Sequence, residues 1–323
     1  MTWSASTLAP LTLLSVGTSI VYFRGWQKLH IHRGGSIPLW RSLCFPSGLL
    51  LIWLATSSPL ASLDDELLTA HMVQHLFLMS VAPFLILLSR PKMPLLHGLP
   101  VGFVRAVVGP VSRTRLAHYI SIFWGRPVFC WLVSIGVLLL WHVPFVFNAA
   151  LKFEPLHLIE HSFFLAAGFL FWSPLLPSHS SQESATWSLV LYLFLATLPC
   201  DILSGFLVFC DRVVYSAYLA RQHFSNWSVL DDQQRAGALM WTSITILYLI
   251  PAAALTIRLL GSKQSSPENV FDPGTNAPCS ALVVLHDQPR TSLSDSSDQS
   301  GLHPPEHAGA PALPPIRQNL RQR

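Results

Sequence analysis

The chain has 323 residues, 51% of them hydrophobic and 11% charged, with a formal net charge of +4 and a mean hydropathy of +0.46. That balance excludes an ordinary soluble domain and describes a polypeptide whose main solvent is lipid. The small positive charge is scattered over loops, with no basic, aromatic-interleaved domain, which sets nucleic acid aside as a partner.

Seven apolar segments have about the length that a bilayer demands, at 6–24, 43–61, 67–89, 127–149, 156–176, 187–210 and 236–260. The first has no basic stretch before it and no small-residue cleavage site after it, so it reads as a retained span rather than a signal peptide. Pro83, Pro144, Pro174, Pro199 and Pro251 lie inside segments and predict kinks, which neighbouring helices tolerate in a bundle. Trp26, Trp40, Trp124, Trp187 and Trp227 fall near segment ends as interfacial anchors do, whereas Trp141, Trp172 and Trp241 lie within spans and should pack against other helices. Between the third and fourth spans, VGFVRAVVGPVSRTRLAHYI is basic and amphipathic and reads as an interfacial helix. The five cysteines show no CxxC spacing, which argues against a disulfide framework.

Loop charges set an expected orientation. The 24–42 connection carries Arg24, Lys28, Arg33 and Arg41, and the 90–126 connection six basic residues, both without a carboxylate, while the 62–66 turn holds Asp64, Asp65 and Glu66. The positive-inside rule then places the N-terminus outside and the C-terminus in the cytoplasm. The expected fold class is all-α: a polytopic membrane bundle of about seven transmembrane helices over residues 1–260. Residues 261–323, rich in Pro, Ser, Asp and Gln, read as a disordered cytoplasmic tail.

Polar groups inside the spans carry the chemistry, since such groups are costly in lipid and mark function. In the third span, His71, His75 and Met79 follow at four-residue steps and form one helical stripe. The fourth span brings His142, the fifth His157, Glu160 and His161, the sixth Asp201 and the seventh Met240, all in the expected outer half of the membrane. The pairs His71/His75 and His157/His161 each share one helix face. Imidazole suits copper, zinc and iron, and a thioether favours Cu(I); Glu160 or Asp201 would orient a ligating ring. His71, His75, His142, His157, His161 and Met240 are therefore the candidate ligands of a metal site opening to the outside.

Other chemistries fit less well. A retinal protein needs a Lys in the seventh span, which has none, and no HExxH or GxSxG motif offers hydrolysis. No catalytic residue is assigned, and a non-enzymatic role is expected. A single haem clamped between His75 and His161 stays open.

Four blocks carry a family resemblance: HMVQHLFLMSVAPFLILLSRP from His71, LLLWHVPFVFNAAL from Leu138, LHLIEHSFFLAAGFLFWSPLL from Leu156 and DDQQRAGALMWTSITILYLIPA from Asp231. They resemble the CtaG-type cytochrome c oxidase assembly factors, a seven-span bacterial membrane family associated with caa3-type oxidases. The resemblance implies a role in maturing a haem–copper oxidase in the bacterial inner membrane, by binding or delivering copper. Oxidase subunits and a periplasmic copper carrier would be its partners. It covers His71, His75, His142, His157 and His161, and in the last block Asp231, Gly237, Met240 and Trp241. A membrane haem-binding redox protein and a metal-free scaffold for oxidase subunits are the alternatives.

Overall fold

Apolar runs placed in lipid must satisfy their backbone groups internally, and here every regular element among the described residues is helical. The computed structural model describes residues 5–32, 37–58, 60–115, 118, 122, 124, 126–176, 183–220 and 227–264. The expected tail lies, beyond residue 264, outside the described residues.

The helices are α1 (Ala5–His32), α2 (Leu39–Ser57) and α3 (Leu68–Leu88), followed by α4 (Lys92–Gly98) and α5 (Val101–Ser112). Then come α6 (Pro127–Trp141), α7 (Pro144–Lys152), α8 (Glu154–Trp172), α9 (Glu183–Phe209) and α10 (Val229–Gln264). Among the described residues, five helices, α2, α3, α8, α9 and α10, are long and apolar enough to cross a membrane, and two bent pairs raise the number of candidate spans to seven, a set that includes α4–α5 from the expected 90–126 connection and not α1. The chain is an all-α polytopic helical protein.

The bent pairs refine the expected layout. The fourth segment is not one helix: α6 and α7 meet at 71°. Pro144 lacks the N–H that would continue the ladder, and it drives Val143 into extended backbone (φ −63°, ψ 123°). His142 is thereby left at the break. In the expected interfacial stretch, α4 and α5 meet at 117° as a broken span or re-entrant loop. There α4 lies tight on α1, because a side chain on Gly25 would run into the carbonyl of Pro94, and one on Gly98 into the carbonyl of Val21. Small residues let helices approach this closely.

Within the bundle, α3 is packed by α2, α8 and α10, and α9 lies along α10. Residues Leu76–Val81 of α3 are wound as a π-helix, with the Ala82 N–H donating to the Phe77 carbonyl. Trp141 and Trp172 are buried as their positions inside spans imply, but Trp241 is 37% exposed and stands edge-on to Phe209. Large apolar side chains such as Phe194, Ile202, Phe206 and Ile246 face outward, as a lipid-facing surface requires. Among the described residues, Cys44, Cys130, Cys200 and Cys210 form no disulfide.

Candidate metal centre

The centre begins with how α3 starts. A helix N-terminus leaves its first N–H groups without intrahelical partners, and here α10 supplies the acceptor. The Asp232 carboxylate accepts from the Leu68 N–H (2.6 Å), the Thr69 N–H (3.2 Å) and the Thr69 hydroxyl (2.6 Å). One turn later comes His71, and His75 follows on the same face. The π segment begins immediately after His75; such insertions are frequent at functional sites. On the facing helix, Pro155 lies in the first turn of α8, where its missing N–H costs nothing, and His157, Glu160 and His161 occupy the next turns.

The two histidine pairs meet. Ring centroids lie 4.2 Å apart for His71 and His75 and 4.2 Å for His157 and His161. Across the helices, His71 and His157 are 5.4 Å apart and His75 and His161 5.8 Å. His142, from the α6–α7 break, stands 6.2 Å from His75. Glu160 is fully buried among them, with Oε1 3.7 Å from His71 Nε2 and 3.5 Å from His75 Nε2. Asp64 Oδ2 lies 3.4 Å from His157 Nε2.

Two three-donor groups result, Asp64/His71/His157 and His71/His75/Glu160, each with its donor atoms within 4.8 Å of one another and with His71 in common. A tetrahedral ion with bonds near 2.1 Å sets its ligand atoms roughly 3.4 Å apart, close to the 3.4, 3.5 and 3.7 Å between imidazole nitrogen and carboxylate oxygen here. Both ring nitrogens of His75, Nε2 of His142 and of His161, and both oxygens of Glu160 have no hydrogen-bond partner among the described residues. Buried polar atoms are seldom left so, and an ion held by His71, His75 and Glu160 would take up one ring nitrogen of His75 and an oxygen of Glu160. Phe147, 4.9 Å from the His71 ring, and Phe164, 4.0 Å from the His75 ring, wall the cluster with apolar surface.

The connection between α9 and α10 braces this arrangement. The Tyr215 hydroxyl donates to the His142 carbonyl (3.3 Å) and the Tyr218 hydroxyl to the Asp64 carbonyl (2.9 Å). Gln233 holds the connection in turn, accepting from the Val214 N–H (2.7 Å) and donating to the Arg212 carbonyl (3.1 Å). Burial, and then the nearby Glu160 charge, push the Tyr215 phenol up, so it remains a donor. Tyr215→Phe keeps the ring on Phe147 (4.1 Å) but removes one buried hydrogen bond, and chemical denaturation in detergent should show a loss of about 1 kcal/mol.

Of the residues singled out from sequence, all five histidines converge. Met240 is buried but belongs to a cavity beside the cluster, which it lines with His75 and His142. Asp201 lies outside both donor groups. Sequence reasoning used Asp64 only as a loop charge and passed over Tyr215, Tyr218 and Gln233. The signal available for the tyrosines was their spacing of three in the connection between the last two spans.

A polytopic helical membrane protein with imidazoles and carboxylates closed inside its bundle is the class that these features define. The chain belongs to the cytochrome c oxidase caa3 assembly factor family, whose model matches residues 20–262. No curated protein and no solved structure matches it.

Proposed function

We propose that the protein matures a caa3-type haem–copper oxidase by holding copper, as cargo, at the His71/His75/His157/His161 cluster with Glu160 and Asp64, and passing it to an oxidase subunit. The observation that carries this reading is the pair of donor groups sharing His71. An ion can move between them by exchanging ligands one at a time, which suits a carrier better than a closed cage does. Loop charges support an outside N-terminus and a cytoplasmic C-terminus, so the cluster lies toward the outer face of a bacterial inner membrane, the side from which a periplasmic carrier would load it. The role is non-enzymatic.

The haem alternative is opposed by packing. Gly168 brings α8 onto the backbone of α3 at Met79, leaving no slot for a macrocycle between the helices that carry His75 and His161. A metal-free scaffold is opposed by the buried donors themselves, since apolar residues would hold the same helices without their desolvation cost.

Metal analysis and a visible spectrum of the purified protein test the proposal. Copper without a Soret band is expected, and replacing His71, His75, His157 and His161 together by Ala should remove the copper while helicity by circular dichroism is kept. Copper content unchanged in that variant would place the site elsewhere.

A further inference from the structure

Beside the cluster, between α3, α6, α8, α9 and α10, lies a cavity of about 30 Å³ whose wall includes Met72, Met79, Met240, Cys200, His75 and His142. The chain has only five methionines, and three of them line this one space. No carboxylate is among its lining residues. His75 and His142 are each 5% exposed, and His75 on both ring nitrogens and His142 on Nε2 have no hydrogen-bond partner among the described residues.

We infer that this cavity is a second, soft-donor station for Cu(I), formed by the thioethers of Met72, Met79 and Met240 with the imidazole of His142, and joined to the histidine–carboxylate cluster through His75. The inference rests on the copper reading above and extends it from one site to a path.

Thioether and imidazole are neutral donors, and a sulfur-rich set selects Cu(I) over hard divalent cations, which gain nothing from a wall without carboxylates. One water needs about 10–15 Å³ of such space, so a cavity of about 30 Å³ admits an ion that has shed most of its waters and has no room for one with a full hydration shell. Met72, His75 and Met79 recur at three and four residues and so present one face of α3. His75 stands in both places: it belongs to the group with His71 and Glu160 and it lines the cavity. An ion leaving the nitrogen–oxygen cluster can therefore keep one ligand while it gains sulfur, and no proton or electron need move. Cys200 also borders the cavity, but its Sγ is engaged with the Ser204 hydroxyl at 3.8 Å and is not one of the station's ligands.

The test is Cu(I) loading of the full-length protein in detergent under reducing conditions, read by copper content and copper-edge X-ray absorption. The wild type should show sulfur as well as nitrogen or oxygen neighbours. The triple variant Met72→Leu, Met79→Leu, Met240→Leu, close to volume-conserving, should lose the sulfur neighbours and one Cu(I) equivalent and keep the nitrogen–oxygen shell. His71→Asn with His157→Asn should lose the other Cu(I) equivalent and keep the sulfur neighbours together with the imidazole nitrogen of His142. Copper held by nitrogen and oxygen alone in the wild type overturns the second station while leaving the proposed function standing, and no copper at all overturns both. Sulfur neighbours that persist in the triple variant, or both shells lost together in it, also overturn the second station.

Discussion

A Gly168→Leu protein should fail to hold α8 against α3 and should lose copper with its stability. A Cβ on Gly168 would meet the carbonyl oxygen and carbon of Met79 and, at 2.7 Å, the ring of Pro83. These are backbone atoms and a proline, so nothing flexible can swing aside. Overpacking a core commonly costs about 1–3 kcal/mol, and a rigid neighbour on a helix seam belongs at or above the upper end of that range. The seam lies only two turns beyond His161 on the same helix, so moving it separates the two histidine pairs. Even Gly168→Ala should lower the thermal midpoint and the copper content. Gly136→Ala is the control: no atom lies within 4 Å of its Cβ position, and it should be neutral or stabilising by up to about 1 kcal/mol. Equal midpoints for the Gly168 and Gly136 variants would refute the seam.

Asp231 and Asp232 are neighbours in sequence with opposite expected outcomes. Asp232 is 4% exposed and receives two backbone N–H groups and one hydroxyl from the start of α3. Asp232→Ala strands those donors in an apolar setting, at about 1–3 kcal/mol for each unsatisfied group, and frays the turn that carries His71. Loss of several kcal/mol and of copper binding is expected. Asp231 is exposed and interacts locally, accepting from the Ser228 hydroxyl (2.7 Å) and N–H (3.2 Å) at the start of α10 and facing the Arg235 charge one turn on. Asp231→Ala should leave copper content unchanged and move the thermal midpoint much less. If both variants melt alike, the cap on α3 is not what holds that helix.

These two residues also show what sequence reasoning reaches. The long apolar segments were legible because length and hydropathy alone define them, and the convergence of His71 and His75 with His157 and His161 was prepared by two four-residue spacings that any α-helix turns onto one face. Pro144 announced a bend, though not that His142 would sit at it. Asp64 was not legible as part of the centre because it lies in a turn, where no periodicity says which way a side chain points. Tyr215, Tyr218 and Gln233 act through backbone carbonyls and N–H groups far away in the chain, and such partners have no local signature. Asp232 lay within a block that resembled the family, but its task, capping a different helix, depends on how α10 docks beside α3. Basic residues made the α4–α5 stretch look interfacial. Its close approach to α1 rests on Gly25 and Gly98, two glycines that composition does not distinguish from any others.

The π-wound stretch Leu76–Val81 has a consequence for phase. It accommodates roughly one residue more than an α-helix would over the same rise, and it lies between the half of α3 that bears His71 and His75 and the half that meets the Gly168 seam. Each residue of an α-helix advances about 100° around the axis. Winding these same six residues as α-helix would regularise α3, yet turn the imidazole-bearing half by about that angle relative to the seam. The helix that looks irregular is the one whose two faces are in register with their partners, and a more regular α3 could satisfy only one of them at a time.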